Sequence, residues 1–276
     1  MREGYGKNKL FFLVAMAMVG SLLLPGGENL FGKKEGGTES EKVTEEGSET
    51  SVESREESTV ESAVTIAVRE DAITATGNGV VWKVESDNVW VVTAAHVLEK
   101  NASTGQVVVT FTLRDDAGSI EMCCNQYEVV QDADLAFLCL DREGGQDASG
   151  SPLSLTFTQV NLPEKESYDA LQAGAVVQLA GLENGNWKTY EGTLTESWIY
   201  VEDFAQYMLA AKCAINPGMS GCGLYDENHD LIGIVSGGNE DGELVAVPLP
   251  VVEAKWEKVR DKLDIPGDML ENNRMQ

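Results

Sequence analysis

A chain of 276 residues with 42% hydrophobic content has enough apolar surface for one large domain or two small ones, which excludes a wholly disordered protein. Its formal net charge is −26, and residues 63–276 alone carry 34 acidic against 13 basic side chains, a surface that repels nucleic acid. The five cysteines (Cys123, Cys124, Cys139, Cys213, Cys222) are odd in number and have neither C-x-x-C spacing nor the histidines of a zinc site, so they read as buried free thiols.

Residues 1–9, with Arg2, Lys7 and Lys9, read as a basic cytoplasmic N-terminus, and residues 10–24 form an apolar run broken only by Gly20 and Ser21. As a helix this run would rise about 22 Å, short of the roughly 30 Å hydrocarbon core. No small-x-small cleavage site precedes Pro25, and there is no cysteine for lipid attachment, so a short single-pass anchor is favoured over a cleaved secretory signal, which stays open. Either way the positive-inside rule places everything beyond residue 24 outside the cytoplasm, tethered in the cell membrane or secreted. Residues 25–62 are expected to be an acidic, disordered linker. From Lys33 to Ser62 the chain is almost all Glu, Ser, Thr, Gly and Lys, which cannot bury enough surface to offset chain entropy.

From about Ala63 the texture changes to short β-branched and aromatic runs between turn residues. Strands are predicted at Val64–Val68, Gly79–Val84, Val89–Thr93, Val107–Leu113, Ile120–Val130, Leu135–Leu140, Ala175–Leu179, Tyr190–Thr195, Trp198–Val201, Tyr207–Ala211, Leu231–Val235 and Leu244–Val247. Many short strands without long alternating helices indicate an all-β antiparallel barrel or sandwich protein. Between Pro250 and Leu263 the apolar period becomes helical, with Val252, Trp256 and Val259 on one face, so a helix caps the domain. Residues 63–265 form the predicted domain, and 266–276 a C-terminal tail.

Chemistry concentrates in Ala214-Ile215-Asn216-Pro217-Gly218-Met219-Ser220-Gly221-Cys222-Gly223. Glycines around a serine let backbone N–H groups converge beside the hydroxyl, which makes Ser220 a candidate nucleophile. A glycine-serine turn is common, so a base and an orienting group are needed. Of the two histidines, His229 lies in the polar turn Asp226–Asp230 and reads as solvated, whereas His96 follows the apolar strand Trp90–Thr93 and two small residues. Asp134 opens the apolar strand Leu135–Leu138, where a carboxylate is costly to bury unless an imidazole N–H meets it. Asp132 is the alternative by register.

Thr93-Ala94-Ala95-His96, Asp134-Leu135-Ala136 and Gly218-Met219-Ser220-Gly221, in this order, resemble the three signature blocks of the chymotrypsin-like serine proteases. The run Ala214-Ile215-Asn216-Pro217-Gly218 is similar to the HtrA-type, DegP-like branch. Gly233-Ile234-Val235-Ser236-Gly237-Gly238 resembles the family's substrate-binding strand, and Val245-Ala246-Val247-Pro248 the segment entering its last helix. The resemblance implies two antiparallel six-stranded β-barrels with a C-terminal helix, and protein or peptide substrates without metal or cofactor. It implies Ser220 as nucleophile, His96 as general base and acid, Asp134 as its orienting carboxylate, and the N–H groups of Gly218 and Ser220 as oxyanion hole. Ser236 is then expected to hydrogen-bond Asp134, and Ser236, Gly237 and Gly238 to pair with an extended substrate.

The chain departs from the pattern in three ways. Met219 stands where digestive members carry the aspartate that captures a cut N-terminus, Cys222 stands where HtrA-type members have glycine, and no PDZ module is expected. By the resemblance Ala214 matches the position that sets charge preference at the pocket floor of trypsin-like members, and a small uncharged residue there implies small or medium apolar P1 residues. Glu243 is either a second wall of that pocket or a hairpin charge. A Cys213–Cys222 disulfide is conceivable. The reading is a membrane-tethered, extracytoplasmic serine endopeptidase, with a catalytically silent protease-like surface module as the alternative; oligomeric state is not legible.

Overall fold

A computed structural model describes residues 55–69, 73–99, 105–112, 118–124, 126–142, 156–183, 185–239 and 241–263. The expected N-terminus, anchor, most of the linker and the C-terminal tail lie outside the described residues. Helix α1 covers residues 55–62. Strands β1 (Ala63–Arg69), β2 (Ile73–Val84), β3 (Asn88–Ala94), helix α2 (His96–Glu99), β4 (Gln106–Thr112), β5 (Ser119–Cys124), β6 (Gln126–Val130) and β7 (Leu135–Asp141) follow. The second half holds α3 (Lys165–Asp169), β8 (Val176–Glu183), β9 (Asn186–Val201), β10 (Gln206–Cys213), β11 (Gly223–Asp226), β12 (Leu231–Gly238), β13 (Glu243–Pro248) and α4 (Leu249–Leu263).

The first half is a seven-stranded antiparallel sheet ordered β5-β4-β1-β2-β3-β7-β6, and the second a closed barrel ordered β10-β13-β12-β11-β8-β9. The expectation of two six-stranded barrels is therefore corrected for the first half. The predicted run Ile120–Val130 is two strands, β5 and β6, which form opposite edges of the sheet by pairing with β4 and β7. They are separated only by residue 125, so the chain itself curls from one edge of the sheet to the other. In the second half, the two predicted strands Tyr190–Thr195 and Trp198–Val201 are one long β9, and the short β11 was not predicted.

Side-chain alternation sorts into three apolar clusters. Val64, Ile66 and Val68 of β1 fill the first sheet's interior, and Leu179, Leu224, Val235 and Ala246 fill the second barrel. Strands β3 and β7 read as continuous apolar runs because both faces are buried. Val89 and Val91 point into the first interior, while Trp90, Val92 and Phe137 join Trp82, Tyr225 and Ile234 between the halves. Helix α4 caps this middle layer with Trp256, whose ring lies edge-on to Trp90 at 4.8 Å and 5.6 Å from Phe137. Burying several such aromatics stabilises the junction by a few kcal/mol each, so the halves hold one relative placement.

Residues 55–62 were expected in the linker. They form α1 because tertiary partners supply what their polar composition lacks. Arg55 pairs with Asp230, Thr158 Oγ1 donates to Glu61 Oε2 at 2.5 Å, and Thr59 Oγ1 donates to the His229 carbonyl at 3.4 Å. This cover buries His229, which was expected to be solvated. Among the described residues no helix is long and apolar enough to cross a membrane.

Candidate active site

The register between β3 and β7 brings the first two site residues together. Ala94 pairs with Leu135, so the chain just after β3 meets the chain just before β7, and Ala95 N donates to Asp134 O at 3.1 Å. Asp134 takes a left-handed conformation (φ 49, ψ 43), which aspartate tolerates better than most residues, and this aims its carboxylate back toward α2. Asp134 Oδ1 accepts from the His96 backbone N at 3.1 Å and lies 3.0 Å from His96 Nδ1, with Oδ2 at 3.1 Å. The imidazole is thereby held at one nitrogen and its ring plane is fixed, leaving Nε2 as the nitrogen available for chemistry. Asp132, the alternative by register, instead pairs with Lys255 of α4 at 2.7 Å, which holds its carboxyl below the usual range.

The serine turn comes from the second barrel and docks on the first sheet. Asn78 N on β2 donates to Ser220 O at 2.8 Å. A Cβ on Gly77 would fall 2.6 Å from Val97 Cγ2 and 3.1 Å from Ser220 O, so the residue after His96 and the serine carbonyl close on the same spot. A Cβ on Gly221 would lie 2.4 Å from the hydroxyl of Thr93, three residues before His96. Ser220 thus sits at the rim that carries His96 and Asp134. No hydrogen bond joins Ser220 Oγ to His96 among the described residues.

Within the turn, backbone bonding alternates. Met219 N donates to Asn216 O at 3.2 Å, Gly221 N to Val235 O at 2.8 Å and Cys222 N to Met219 O at 3.1 Å. The N–H groups of Gly218 and Ser220 have no acceptor among the described residues. Gly218 has φ +92, and a Cβ there would meet nothing within 4 Å, so its backbone borders open space. Two unpaired N–H groups beside a nucleophile candidate can receive a developing negative charge.

The expected substrate strand shows a complementary irregularity. Val235 pairs with Ala246 and Gly237 with Val245, so Ser236 is the extra residue of a bulge in β12 and has no partner on β13. Its hydroxyl, expected to hydrogen-bond Asp134, is buried without a partner, because both Asp134 oxygens turn toward His96. Gly237 borders open space, whereas a Cβ on Gly238 would meet Ile215 Cγ2 at 2.6 Å. Ala214, expected at a pocket floor, is exposed, and Ile215 is the side chain that closes on Gly238. Glu243 belongs to the β12–β13 hairpin, where its Oε2 accepts from Asn239 Nδ2 at 2.9 Å.

Cys213 and Cys222 are both buried and free, which corrects the conceived disulfide. Met219 is buried in the second barrel's core, an apolar anchor for the turn in place of a charged one. Three residues escaped the sequence reading: Asn78, Thr93 as a hydroxyl donor, and Tyr190, whose OH accepts from Asn216 Nδ2 at 3.0 Å. The one available signal was Gly77-Asn78-Gly79, a polar residue flanked by glycines inside an apolar strand.

A carboxylate-held histidine on one β half and a glycine-bordered serine on the other, brought together where the halves meet, is the arrangement of the chymotrypsin-like class. Sequence comparison agrees: the model of the trypsin-like peptidase domain matches residues 77–234, more than half of the 276-residue chain, and the chain belongs to this family. Its fold is similar to that of Deg5, with a TM-score of 0.58 and 21% identity over 78% of this chain and 95% of that one. It is also similar to AlgW, an HtrA-type protease solved with a tripeptide, with a TM-score of 0.56 and 21% identity over 77% of this chain and 63% of that one. No curated protein matches the sequence. No PDZ module is evident among the described residues.

Proposed function

We propose that the chain is a serine endopeptidase acting through Ser220, His96 and Asp134. Ser220 Oγ attacks the scissile carbonyl while His96 Nε2 takes the hydroxyl proton, and Asp134 stabilises the imidazolium from the Nδ1 side. The carbonyl oxygen becomes an oxyanion between the N–H groups of Gly218 and Ser220, where one donor is typically worth about 3 kcal/mol of transition-state stabilisation. Collapse breaks the C–N bond, the amine leaves with the proton held by His96, and water then hydrolyses the acyl-enzyme by the same route. The single observation that carries this reading is the pair of unbonded N–H groups at Gly218 and Ser220, flanked by bonded ones at 219, 221 and 222.

Strand β11 pairs with β12 only as far as Ile234, and on that edge, opposite β13, Ser236, Gly237 and Gly238 have no strand neighbour, so an extended substrate joins there by β-addition. Ile215 packed over Gly238 narrows the adjoining space and favours small or medium apolar P1 side chains. The basic residues 1–9 and the apolar run 10–24 support a tether that carries the domain on the outer side of the membrane.

The test is labelling by a fluorophosphonate probe. The reading expects adduct formation on Ser220 that vanishes in Ser220→Ala and His96→Ala. Absence of labelling in folded protein, with and without peptide, would instead mark a protease-like binding module.

A further inference from the structure

We propose that Asn78 is a positioning residue that, together with the β8–β9 hairpin, holds the oxyanion turn in its receptive shape. The catalytic consequence rests on the protease reading above, while the positional claim stands on geometry alone.

Asn78 is 1% exposed, lies on β2, and uses every polar group it has. Its Nδ2 donates to Gly218 O at 2.8 Å and to Leu182 O at 3.0 Å, and its Oδ1 accepts from Leu182 N at 2.7 Å. Its backbone N donates to Ser220 O, and its backbone O accepts from Thr93 Oγ1 at 2.6 Å. One side chain therefore ties the first sheet to β8 of the second barrel and to the turn between them. Tyr190 on β9 adds a second point: its OH accepts from Asn216 Nδ2 and donates to Glu183 Oε2 at 3.1 Å. Both ties end on the β8–β9 hairpin, where Glu183 pairs with Asn186.

The turn needs such a restraint because of Gly218. A glycine at φ +92 with open space around it rotates its flanking peptides at little steric cost. Gly218 joins the peptide that carries its N–H to the peptide that carries its carbonyl, which Met219 N also ties to Asn216 O, so rotation at Gly218 that releases this carbonyl also re-aims the N–H needed for an oxyanion. The Asn78 carboxamide opposes this by holding that carbonyl, and it is the only side chain bonded to a carbonyl of residues 218–221 among the described residues. A buried carboxamide with every bond satisfied has no alternative rotamer of equal energy, so the restraint is stiff.

The experiment uses the full chain with Asn78→Ser, which keeps the backbone bonds and removes the carboxamide, and Tyr190→Phe, which removes only the hydroxyl. Amide hydrogen exchange is read in peptides covering residues 214–224, and affinity for a peptide boronic acid is read alongside kcat and KM. For Asn78→Ser the expected results are exchange faster by about tenfold in that segment, unchanged exchange in β3 and β7, and a fall in kcat and in boronate affinity by a similar factor at constant KM. Tyr190→Phe moves the same segment in the same direction by a smaller factor, and it decides the matter alone if Asn78→Ser does not fold. Unaltered exchange at 214–224 in the folded variants overturns the proposal, as does a loss confined to KM. A wild-type chain that ignores the boronate but still shows the exchange difference refutes the protease reading and leaves the positioning role standing.

Discussion

Replacing Gly221 by alanine tests how closely the nucleophile turn is pressed against the first sheet. Gly221 has φ +86, and the added Cβ would lie 2.0 Å from Asn78 O, 2.4 Å from Thr93 Oγ1 and 2.9 Å from Asn78 C. Two of these are backbone atoms of β2, so no rotamer change relieves the overlap, and the turn must back away by about 1 Å. Left-handed strain contributes about 1 kcal/mol and forced repacking about 2 kcal/mol. The same movement stretches the 2.8 Å bond from Asn78 N to Ser220 O, a further loss of about 1 kcal/mol. A total near 4 kcal/mol corresponds to a fall in Tm of about 12 °C for a domain of this size. A displacement of this size at the nucleophile should also lower peptide hydrolysis by about a hundredfold. The control is Gly185→Ala: φ is +78 there too, but a Cβ meets nothing within 4 Å, so only the left-handed strain of about 1 kcal/mol applies. Guanidinium unfolding followed by tryptophan fluorescence gives both values. If the two variants differ by less than 1 kcal/mol, the turn yields freely and the close packing between β2 and the serine is not what fixes the site.

Two further outcomes follow from burial and charge. Cys123 is exposed, whereas Cys124, Cys213 and Cys222 are buried, and burial pushes the Cys124 thiol up to about 11 and Cys222 higher still. At pH 8 such a thiol is about one part in a thousand thiolate, so iodoacetamide should modify Cys123 within minutes and the three buried cysteines only after unfolding. Mass mapping that finds rapid native labelling of Cys213 or Cys222 would contradict the packing described around the turn. Arg55→Ala should destabilise the fold by about 1 kcal/mol near neutral pH, with the deficit shrinking as pH falls. Burial raises the Asp230 carboxyl and Arg55 opposes that rise, so the pair exists only above the folded-state pKa of Asp230 and is lost on protonation. A deficit of equal size at about pH 3 and at neutral pH would mean that Arg55 acts through packing rather than charge.

The sequence made legible those parts of the site that strand register dictates. His96 lies two residues beyond the end of β3 and Asp134 directly precedes β7, and two apolar runs buried on both faces are ready neighbours in a sheet. Once they pair, the imidazole and carboxylate meet without any further information. Strand β11 was invisible because its four residues, Gly223–Asp226, show no alternation long enough to read, and it exists through ladders to β8 and β12. Helix α1 was invisible for a related reason. Its glutamates and serines match a solvated tether, and partners far away in sequence, Asp230, Thr158 and the His229 carbonyl among them, stabilise the helix.

Asn78 is likewise set by partners distant in sequence rather than by its neighbours. Its carboxamide bonds residues 104 and 140 positions away, and nothing in Thr76-Gly77-Asn78-Gly79 sets that geometry. The flanking glycines are nevertheless a trace of it. Gly77 admits Val97 and the Ser220 carbonyl, and a Cβ on Gly79 would sit 2.9 Å from Ile66 and Val91, so both are small because other chain segments press in. A polar residue between two such glycines on a buried strand must itself be satisfied by those segments, since an unpaired buried amide costs about 1–3 kcal/mol. The local sequence therefore holds only the trace of a bridge at β2, and its far ends are set when the second barrel closes against the first sheet and brings Leu182 and Gly218 within reach.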